Sequence, residues 1–456
     1  MIYDTIIIGA GIAGLYIANR LDVKKTLIIE RRYKSGGRIK TDKELNLDTG
    51  AYRISSSHKK ILQLIDNLGL KDKLKDFNPR CKYIGTKQKK LPGNEIRELY
   101  KKLKDDKDIR NLSFYNLAQK VLDGESVRDI VDRTGYNNGA CVKQAYHYFK
   151  PFSKSKRAKY FYMKDGLEQI TKKLEDGLNI KFKTSFQDYD YDGKEFTVFT
   201  NNGIFNCKKL ILSYSVDEDF LGLPGYTTKN KYIRIFIKFK TKWFKNIQKI
   251  ITPGPFRQII NIENEYLQIY SDYKYAELLN KLLWNGELED FLNLELRKLF
   301  PEMTKIVKFK AFFWNSGTYY WKLGLNSEKL YKKMLQPFRY PLYIAGERYS
   351  LTQGWMEGAL ETAYDVLEKI EKKGHVGGGK SYQMQEVKKH DKADDAWIVI
   401  EDKVYDITDW VPIHPGGGVI LKKLGQDATT TFMSVHPDPD FIKENLLKKF
   451  YIGTLK

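Results

Sequence analysis

Hydrophobic and polar positions along the chain follow two periods, one suited to buried strands and one to amphipathic helices. Thr5-Ile6-Ile7-Ile8 is β-branched and mostly apolar and is cut off at once by glycine, the pattern of a parallel strand covered on both faces. Thr26-Leu27-Ile28-Ile29 repeats it and closes on Glu30. Over 58–69 the period changes: Ile61, Leu64, Ile65 and Leu68 share one helical face and Gly69 stops the helix. Residues 70–165 are basic, aromatic and mostly helical in pattern, with no internal repeat. A helix is predicted over 168–174, and strands over 180–186, 195–200, 203–207 and 210–212. A second set of apolar strands is predicted over 232–239, 266–270 and 306–314. Leu342-Tyr343-Ile344-Ala345-Gly346-Glu347 reads as a strand ending in a glycine and a carboxylate, and Gly354 opens a helix to about Lys372. Strands alternating with helices in this way predict an α/β protein.

Past that helix the pattern restarts. Residues 371–381 read as a flexible, glycine-rich linker, and His375 within it has no partner in the pattern. Residues 397–400 and 404–407, joined through Glu401-Asp402-Lys403, predict a hairpin. Two histidine motifs follow, His414-Pro415-Gly416-Gly417 and His436-Pro437, with Gly425-Gln426-Asp427-Ala428-Thr429 between them. His58 and His147 stand alone and read as structural.

The first strand carries the first chemistry. Gly9, Gly11 and Gly14 follow it in G-x-G-x-x-G spacing. Gly9 suits the tight turn, Gly11 the approach of a pyrophosphate, and Gly14 the packing of the helix on the strand. The helix N-terminus turns unpaired N–H groups and a positive dipole end toward those phosphates. Glu30 lies about 20 residues beyond the turn, where a carboxylate accepts ribose hydroxyls. Together these make a dinucleotide site. The helix opened by Gly354 offers a second place for a ligand's negative charge.

Length and charge narrow the class. A chain of 456 residues accommodates two or three domains. Cys81, Cys141 and Cys207 are scattered, odd in number and without C-x-x-C spacing, which argues for a reducing, cytoplasmic compartment and against a disulfide framework. No apolar run approaches the length of a membrane span, and the N-terminal run belongs to the fingerprint strand. The net charge is +22, yet residues 381–456 hold ten lysines, no arginine and twelve acids, so that the tail carries −2 and the body +24. A basic body and an acidic tail attract one another. The lysines are dispersed through helices and strands and form no block suited to specific nucleic-acid binding.

With the motifs in order, residues 1–370 resemble the flavin-containing amine oxidase family. The resemblance rests on the glycine fingerprint, Glu30, Gly36-Gly37-Arg38, Asp48-x-Gly50-Ala51, Asp165-Gly166-Leu167, Ala345-Gly346-Glu347 and Gly354-Trp355-Met356-Glu357-Gly358-Ala359. It implies FAD as cofactor and a substrate that loses hydride from the carbon beside an amine nitrogen, giving an imine that water hydrolyses. Gly9, Gly11, Ile12, Ala13, Gly14, Glu30 and Arg31 would lie along the adenosine and pyrophosphate. Gly37, Arg38, Gly50, Ala51, Tyr52 and Arg53 would approach the pyrophosphate and ring, and Phe186 the adenine. Gly346, Glu347, Trp355, Met356 and Glu357 would line the ribityl chain and flavin. Tyr52-Arg53 and Trp355 resemble the L-amino-acid oxidase branch, in which the matching arginine holds the substrate carboxylate; bidentate pairing suits that role. Tyr319 would join Trp355 as an aromatic wall, or is a core tyrosine. Two positions depart from the family. Arg234 stands where a lysine usually lies near the flavin, and arginine does not give up its proton near neutral pH, so rapid reaction with oxygen is not expected. Asp165 replaces the first glycine of a Gly-Gly turn.

Residues 384–455 resemble cytochrome b5, which assigns His414 and His436, 22 residues apart, as the axial ligands of haem b. The combined expectation is a Rossmann-type, glutathione-reductase-like FAD domain with an interleaved α+β substrate domain and a small α+β haem domain. The FAD part would comprise 1–70, 163–225 and 340–370, the substrate part 71–162 and 226–339, and the haem domain 382–456. Such a protein would oxidise an amine or L-amino acid and pass electrons from flavin to haem. A helix from Gly354 to Lys372 is about 28 Å long and the linker reaches at most about 38 Å, so the haem domain can fold back. An external electron donor or acceptor protein is a further expected partner of the haem unit. Other readings stay open at this point: a peroxide-producing oxidase with an independent b5 unit, an FAD-dependent C–C desaturase or protoporphyrinogen-type oxidase, and an electron carrier.

Overall fold

The computed structural model describes residues 2–153, 158–216, 218–372 and 380–456. β1 (Ile2–Ile8) leads through α1 (Ile12–Ala18) to β2 (Thr26–Ile29), which lies parallel to it with Ile6 beside Leu27. α2 (Lys59–Asn67) turns Ile61, Leu64 and Ile65 into the core shared with α1. The chain comes back to this first sheet through the antiparallel strands β3 (Phe186–Tyr191), β4 (Phe196–Thr200) and β5 (Gly203–Leu212), with β5 parallel to β1 on the side away from β2. A second sheet follows, built on β6 (Thr227–Phe239), β7 (Tyr266–Asp272) and β8 (Ile306–Trp321). The chain then passes through α3 (Ser327–Met334) and returns to the first sheet with β9 (Leu342–Ile344), parallel to β5, before α4 (Met356–Lys372) closes over α1 and α2. The helices Gly93–Leu103, Phe114–Ala118, Gly124–Thr134 and Ala145–Phe149 pack on one another around a core of their own, beside the second sheet.

Several boundaries differ from expectation for local reasons. The strand predicted over 180–186 is two elements, Ile180–Lys181 and then β3, because the chain turns at Lys183 with φ +54°. The two strands predicted over 203–212 are one, since Lys208 stays exposed and pairs with Asp4 at 3.1 Å without interrupting the ladder. β8 runs seven residues past its predicted end. Gly317 within it lies flat against Tyr232 of β6, where any Cβ would collide with the ring. Asp165 and Gly166 both adopt left-handed backbone, at φ +64° and +86°. That is the conformation glycine favours, and aspartate is among the few residues that tolerate it. The linker predicted over 371–381 begins in α4 and ends in the strand Lys380–Tyr382, and its centre, with His375, lies outside the described residues.

The C-terminal unit is a small sheet of β10 (Asp395–Ile400), β11 (Lys403–Asp406) and β12 (Tyr451–Leu455), flanked by Lys380–Tyr382 and covered by α5 (Thr429–Val435) and short helical turns. It touches the larger body through an ion pair of Lys333 with Asp409 and another of Arg339 with Asp406 at 3.0 Å. The Arg339 guanidinium also lies 4.3 Å over the Trp397 ring, and Phe338 meets Phe450 edge-on. No helix among the described residues is long and apolar enough to cross a membrane.

Candidate active site and haem centre

The glycine turn has the shape a dinucleotide needs. Gly9 takes φ +107° and its N–H donates to the Ile29 carbonyl at 2.8 Å, while a Cβ on Gly14 would collide with the Gly9 carbonyl. Gly11 faces open space: a Cβ there would meet nothing within 4 Å. Packing therefore explains Gly14, but only an incoming group explains Gly11. Ile12 and Ala13 are buried behind it. The Glu30 carboxylate accepts from Ala10 N at 2.8 Å and Arg32 N at 2.9 Å, which fixes its position beside the turn; Arg31 is exposed. Gly36 N–H donates to the Ala10 carbonyl, folding the Gly36-Gly37-Arg38 loop over the fingerprint. Thr184 N–H bonds the Glu30 carbonyl, and Phe186, two residues on, packs with Tyr214 and Phe220.

The distant motifs converge on one frame. Arg38 pairs with Glu347 at 2.7 Å and donates to the Gly317 carbonyl. The same Glu347 carboxylate accepts from the backbone N–H of Tyr319 and Gly354. Gly50 packs under the Arg38 carbonyl with no room for a Cβ, and Ala51 N–H bonds that carbonyl at 3.0 Å. The Asp48 carboxyl is buried, accepts from Thr41 Oγ1 and Leu167 N, and so ties the Asp48-x-Gly50 loop to the Asp165–Leu167 turn. Burial pushes its pKa up to about 7 against the lowering effect of those bonds and of Arg234. Both oxygens of Glu357 accept from Lys60 and Ile61 N–H at the start of α2, where a carboxylate satisfies orphan helix donors. Met356 is buried in the core beneath α4, and Gly346 takes φ +133°.

Beside this frame, Tyr52, Arg53, Tyr136, Lys143, Tyr270 and Tyr320 are half-buried, and the contacts of Arg53 with Tyr136 and of Tyr136 with Tyr270 draw them together around one recess. Arg53 donates to the Tyr136 phenol oxygen, and its guanidinium lies 5.5 Å from the Phe77 ring. No carboxylate of the described residues forms an ion pair with Arg53. Burial alone would raise the Tyr136 pKa, but Arg53 and Lys249 bring it down to about 8. Burial, with Lys150 nearby, lowers Lys143 to about 8. The indole of Trp355 stacks on Tyr160 at 6.3 Å and meets His58 at 4.7 Å. Tyr319 is 1% exposed and held between Arg38 and Arg348, 5.9 and 4.7 Å from its ring. The packing thus pairs Trp355 with Tyr160, and places Tyr319 in the frame below. His147, bonded to Ser327 Oγ at 2.7 Å and pushed by burial to about 3, is part of the scaffold. Tyr136, Lys143, Tyr160 and Tyr270 carry no motif, and nothing in their spacing marks them.

In the C-terminal unit the rings of His414 and His436 lie 6.2 Å apart. Two imidazoles on opposite sides of one metal ion, each bound at about 2 Å, have ring centres about 6 Å apart. His436 Nδ1 donates to the Phe432 carbonyl at 2.9 Å, which leaves Nε2 free to ligate. His414 Nδ1 is buried without a partner. On the segments that carry and follow the two histidines, Ile413, Val419, Leu421, Met433 and Val435 are exposed, as apolar side chains are where a flat apolar group is to cover them. The residues fit a haem.

A two-layer dinucleotide fold with an interleaved second sheet, joined to a bis-histidine unit, is the class these sites define. The comparisons divide in the same way. Residues 12–135 match the family model of flavin-containing amine oxidoreductases, and residues 383–456 that of the cytochrome b5-like heme/steroid binding domain. The chain therefore carries a flavin-containing amine oxidoreductase domain toward its N-terminus and a cytochrome b5-like domain at its C-terminus; the first implies FAD and the second haem. Among curated proteins it is similar to acyl-lipid (8-3)-desaturase B of Dictyostelium discoideum, 47% identical over 75 residues that are 16% of each chain. It is also similar to L-lactate dehydrogenase (cytochrome) of Wickerhamomyces anomalus, 43% identical over 70 residues, 15% of this chain and 12% of that one. The match to these relatives thus spans about a sixth of their length or less. A redesigned putrescine oxidase superposes with TM-score 0.66 at 16% identity, over 81% of this chain and 99% of that one. A putative protoporphyrinogen oxidase from Exiguobacterium gives 0.62 at 15% identity, over 81% and 99%. These likenesses establish the fold.

Proposed function

We propose that the protein is a flavin-dependent oxidoreductase that oxidises the C–N bond of a carboxylate-bearing amine and passes the electrons to its own b5-type haem. Arg53 carries this reading. A guanidinium enclosed in a cavity without a carboxylate partner is costly, and a substrate carboxylate supplies the missing charge with bidentate geometry. FAD, bound along Gly9–Gly14, Glu30, Arg38 and Glu347, supplies the hydride acceptor. The chain's residues do the rest. Arg53 fixes the acid end of the substrate, and Tyr136 takes up its hydrogen bond when the cavity is empty. Lys143, neutral in part near pH 8, takes the proton that an ammonium must lose before its carbon gives up hydride. Trp355 and Tyr160 form an apolar wall. Arg234, fixed in charge, cannot cycle protons as a lysine does, which favours haem over oxygen as acceptor. The ion pairs of Lys333 and Arg339 with the b5 unit support internal transfer.

Incubating the FAD- and haem-loaded protein with an amino-acid panel, and measuring ammonia together with flavin bleaching, tests the chemistry. Ammonia in step with bleaching is expected. Bleaching without ammonia would move the reaction to carbon–carbon oxidation, and no bleaching with any amine would refute the reading.

A further inference from the structure

The recess holds a second cation that forms no ion pair among the described residues. Among the described residues, Arg234, on β6 and 7% exposed, reaches only the Asp48 carbonyl oxygen through Nη1, at 3.4 Å, and its Nε has no partner. Its guanidinium lies 5.1 Å from the Tyr52 ring and 5.9 Å from the Tyr270 ring. Asp48 is the acid that faces it, but that carboxyl already serves Thr41 and Leu167, and its raised pKa leaves it only partly charged near neutrality. Arg53 shares the surroundings: Tyr52 feels both guanidiniums, and Tyr270 faces Arg53 as it faces Arg234. Tyr136, which holds Arg53, meets Tyr270 with ring centres 5.6 Å apart. Two guanidiniums thus share the surroundings of Tyr52 and Tyr270, and Lys143 lies near Tyr320 on the next strand.

One carboxylate compensates one guanidinium. We infer that the substrate carries a second acidic group held by Arg234, so that the preferred class is the α-amino dicarboxylates and not neutral amino acids or polyamines. This rests on the proposed oxidation of a carboxylate-bearing amine, and it makes that reading narrower. A polyamine would bring positive charge into a cavity that already holds Arg53, Arg234 and Lys143, which like-charge repulsion in a poorly hydrated space opposes. A neutral amino acid would leave Arg234 buried and unpaired. An acidic side chain satisfies its free Nε and second amino group with charge-assisted bonds.

The test separates binding from chemistry. Binding of glutarate and of butyrate to the oxidised holoprotein is followed by the change in the flavin absorbance spectrum and by thermal shift. Glutarate is expected to bind at least tenfold more tightly than butyrate, and Arg234→Gln to remove that difference while leaving butyrate binding unchanged. Under anaerobic conditions L-glutamate is expected to bleach the flavin at concentrations at least tenfold below those needed for L-glutamine. Equal binding of glutarate and butyrate to the unaltered protein overturns the inference without recourse to any variant. An equal weakening of both ligands by Arg234→Gln overturns it as well, since that is what a role toward flavin or scaffold alone predicts. Tight glutarate binding with no bleaching by any amino acid would keep the second anion site and remove the C–N chemistry instead.

Discussion

Reversing the charges between the two redox units tests whether the contact seen in the structure is the one that carries electrons. The perturbation is Lys333→Glu with Arg339→Glu. Their partners Asp409 and Asp406 belong to the strand-to-turn segment that runs into His414, so this contact holds one axial ligand's segment against the body. The four side chains are between 21% and 45% exposed. Solvent screening therefore limits each pair to about 0.5 kcal/mol. Reversal replaces attraction with similar repulsion, about 1 kcal/mol per pair, so the docking constant falls about thirtyfold for both. The linker keeps the partner at high effective concentration, and the loss appears as slower transfer, not as separation. Stopped-flow absorbance after anaerobic mixing with substrate resolves flavin bleaching from haem reduction. Haem reduction should slow while bleaching keeps its rate. Asp409→Lys with Asp406→Lys in the same chain should restore it, and salt above about 0.1 M should weaken the dependence. Unchanged haem reduction in the double reversal would refute the reasoning, as would failure of the compensating swap.

Other residues give independent checks. Lys143→Met should remove the limb of the pH–rate profile near pH 8: lysine accepts a proton only above its pKa, so activity of the unaltered protein rises as pH passes through about 8, and a roughly hundredfold loss at pH 9 is expected from a positioned base. His414→Ala or His436→Ala should each abolish the low-spin haem spectrum while flavin content and bleaching persist. Gly14→Ala forces a collision with the Gly9 carbonyl and should cost about 2 kcal/mol or more, read as a lower melting temperature and loss of FAD; Gly11→Ala should leave the apoprotein's melting temperature unchanged and weaken FAD binding alone.

What the amino-acid sequence made legible was what backbone geometry demands locally. Gly9, Gly11 and Gly14 are recognisable because the turn, the pyrophosphate and the helix contact each require a glycine at a fixed offset, and His414 and His436 because each sits in a dense local motif. The tyrosine and lysine lining of the cavity was invisible. Tyr136 and Lys143 lie in loops between helices and Tyr270 in β7, segments that meet only in the tertiary structure, and one lysine among 79 basic residues carries no mark. Gly317 is silent for a related reason, since close approach of two strands and a turn both select glycine. Lys183 shows the converse, a turn at positive φ with no glycine to announce it. The Glu357 carboxylate caps α2, a contact 297 residues away in sequence that its motif does not encode.

The central claim is that electrons from the flavin reach the haem of the same chain. Its most direct test is single-turnover reduction of the holoprotein under anaerobic conditions, followed by absorbance at several protein concentrations. Flavin bleaching followed by sharp reduced b-type haem bands, at a rate independent of protein concentration, is expected. Flavin that bleaches beside a haem that stays oxidised, or a haem reduced only in proportion to protein concentration, would contradict it.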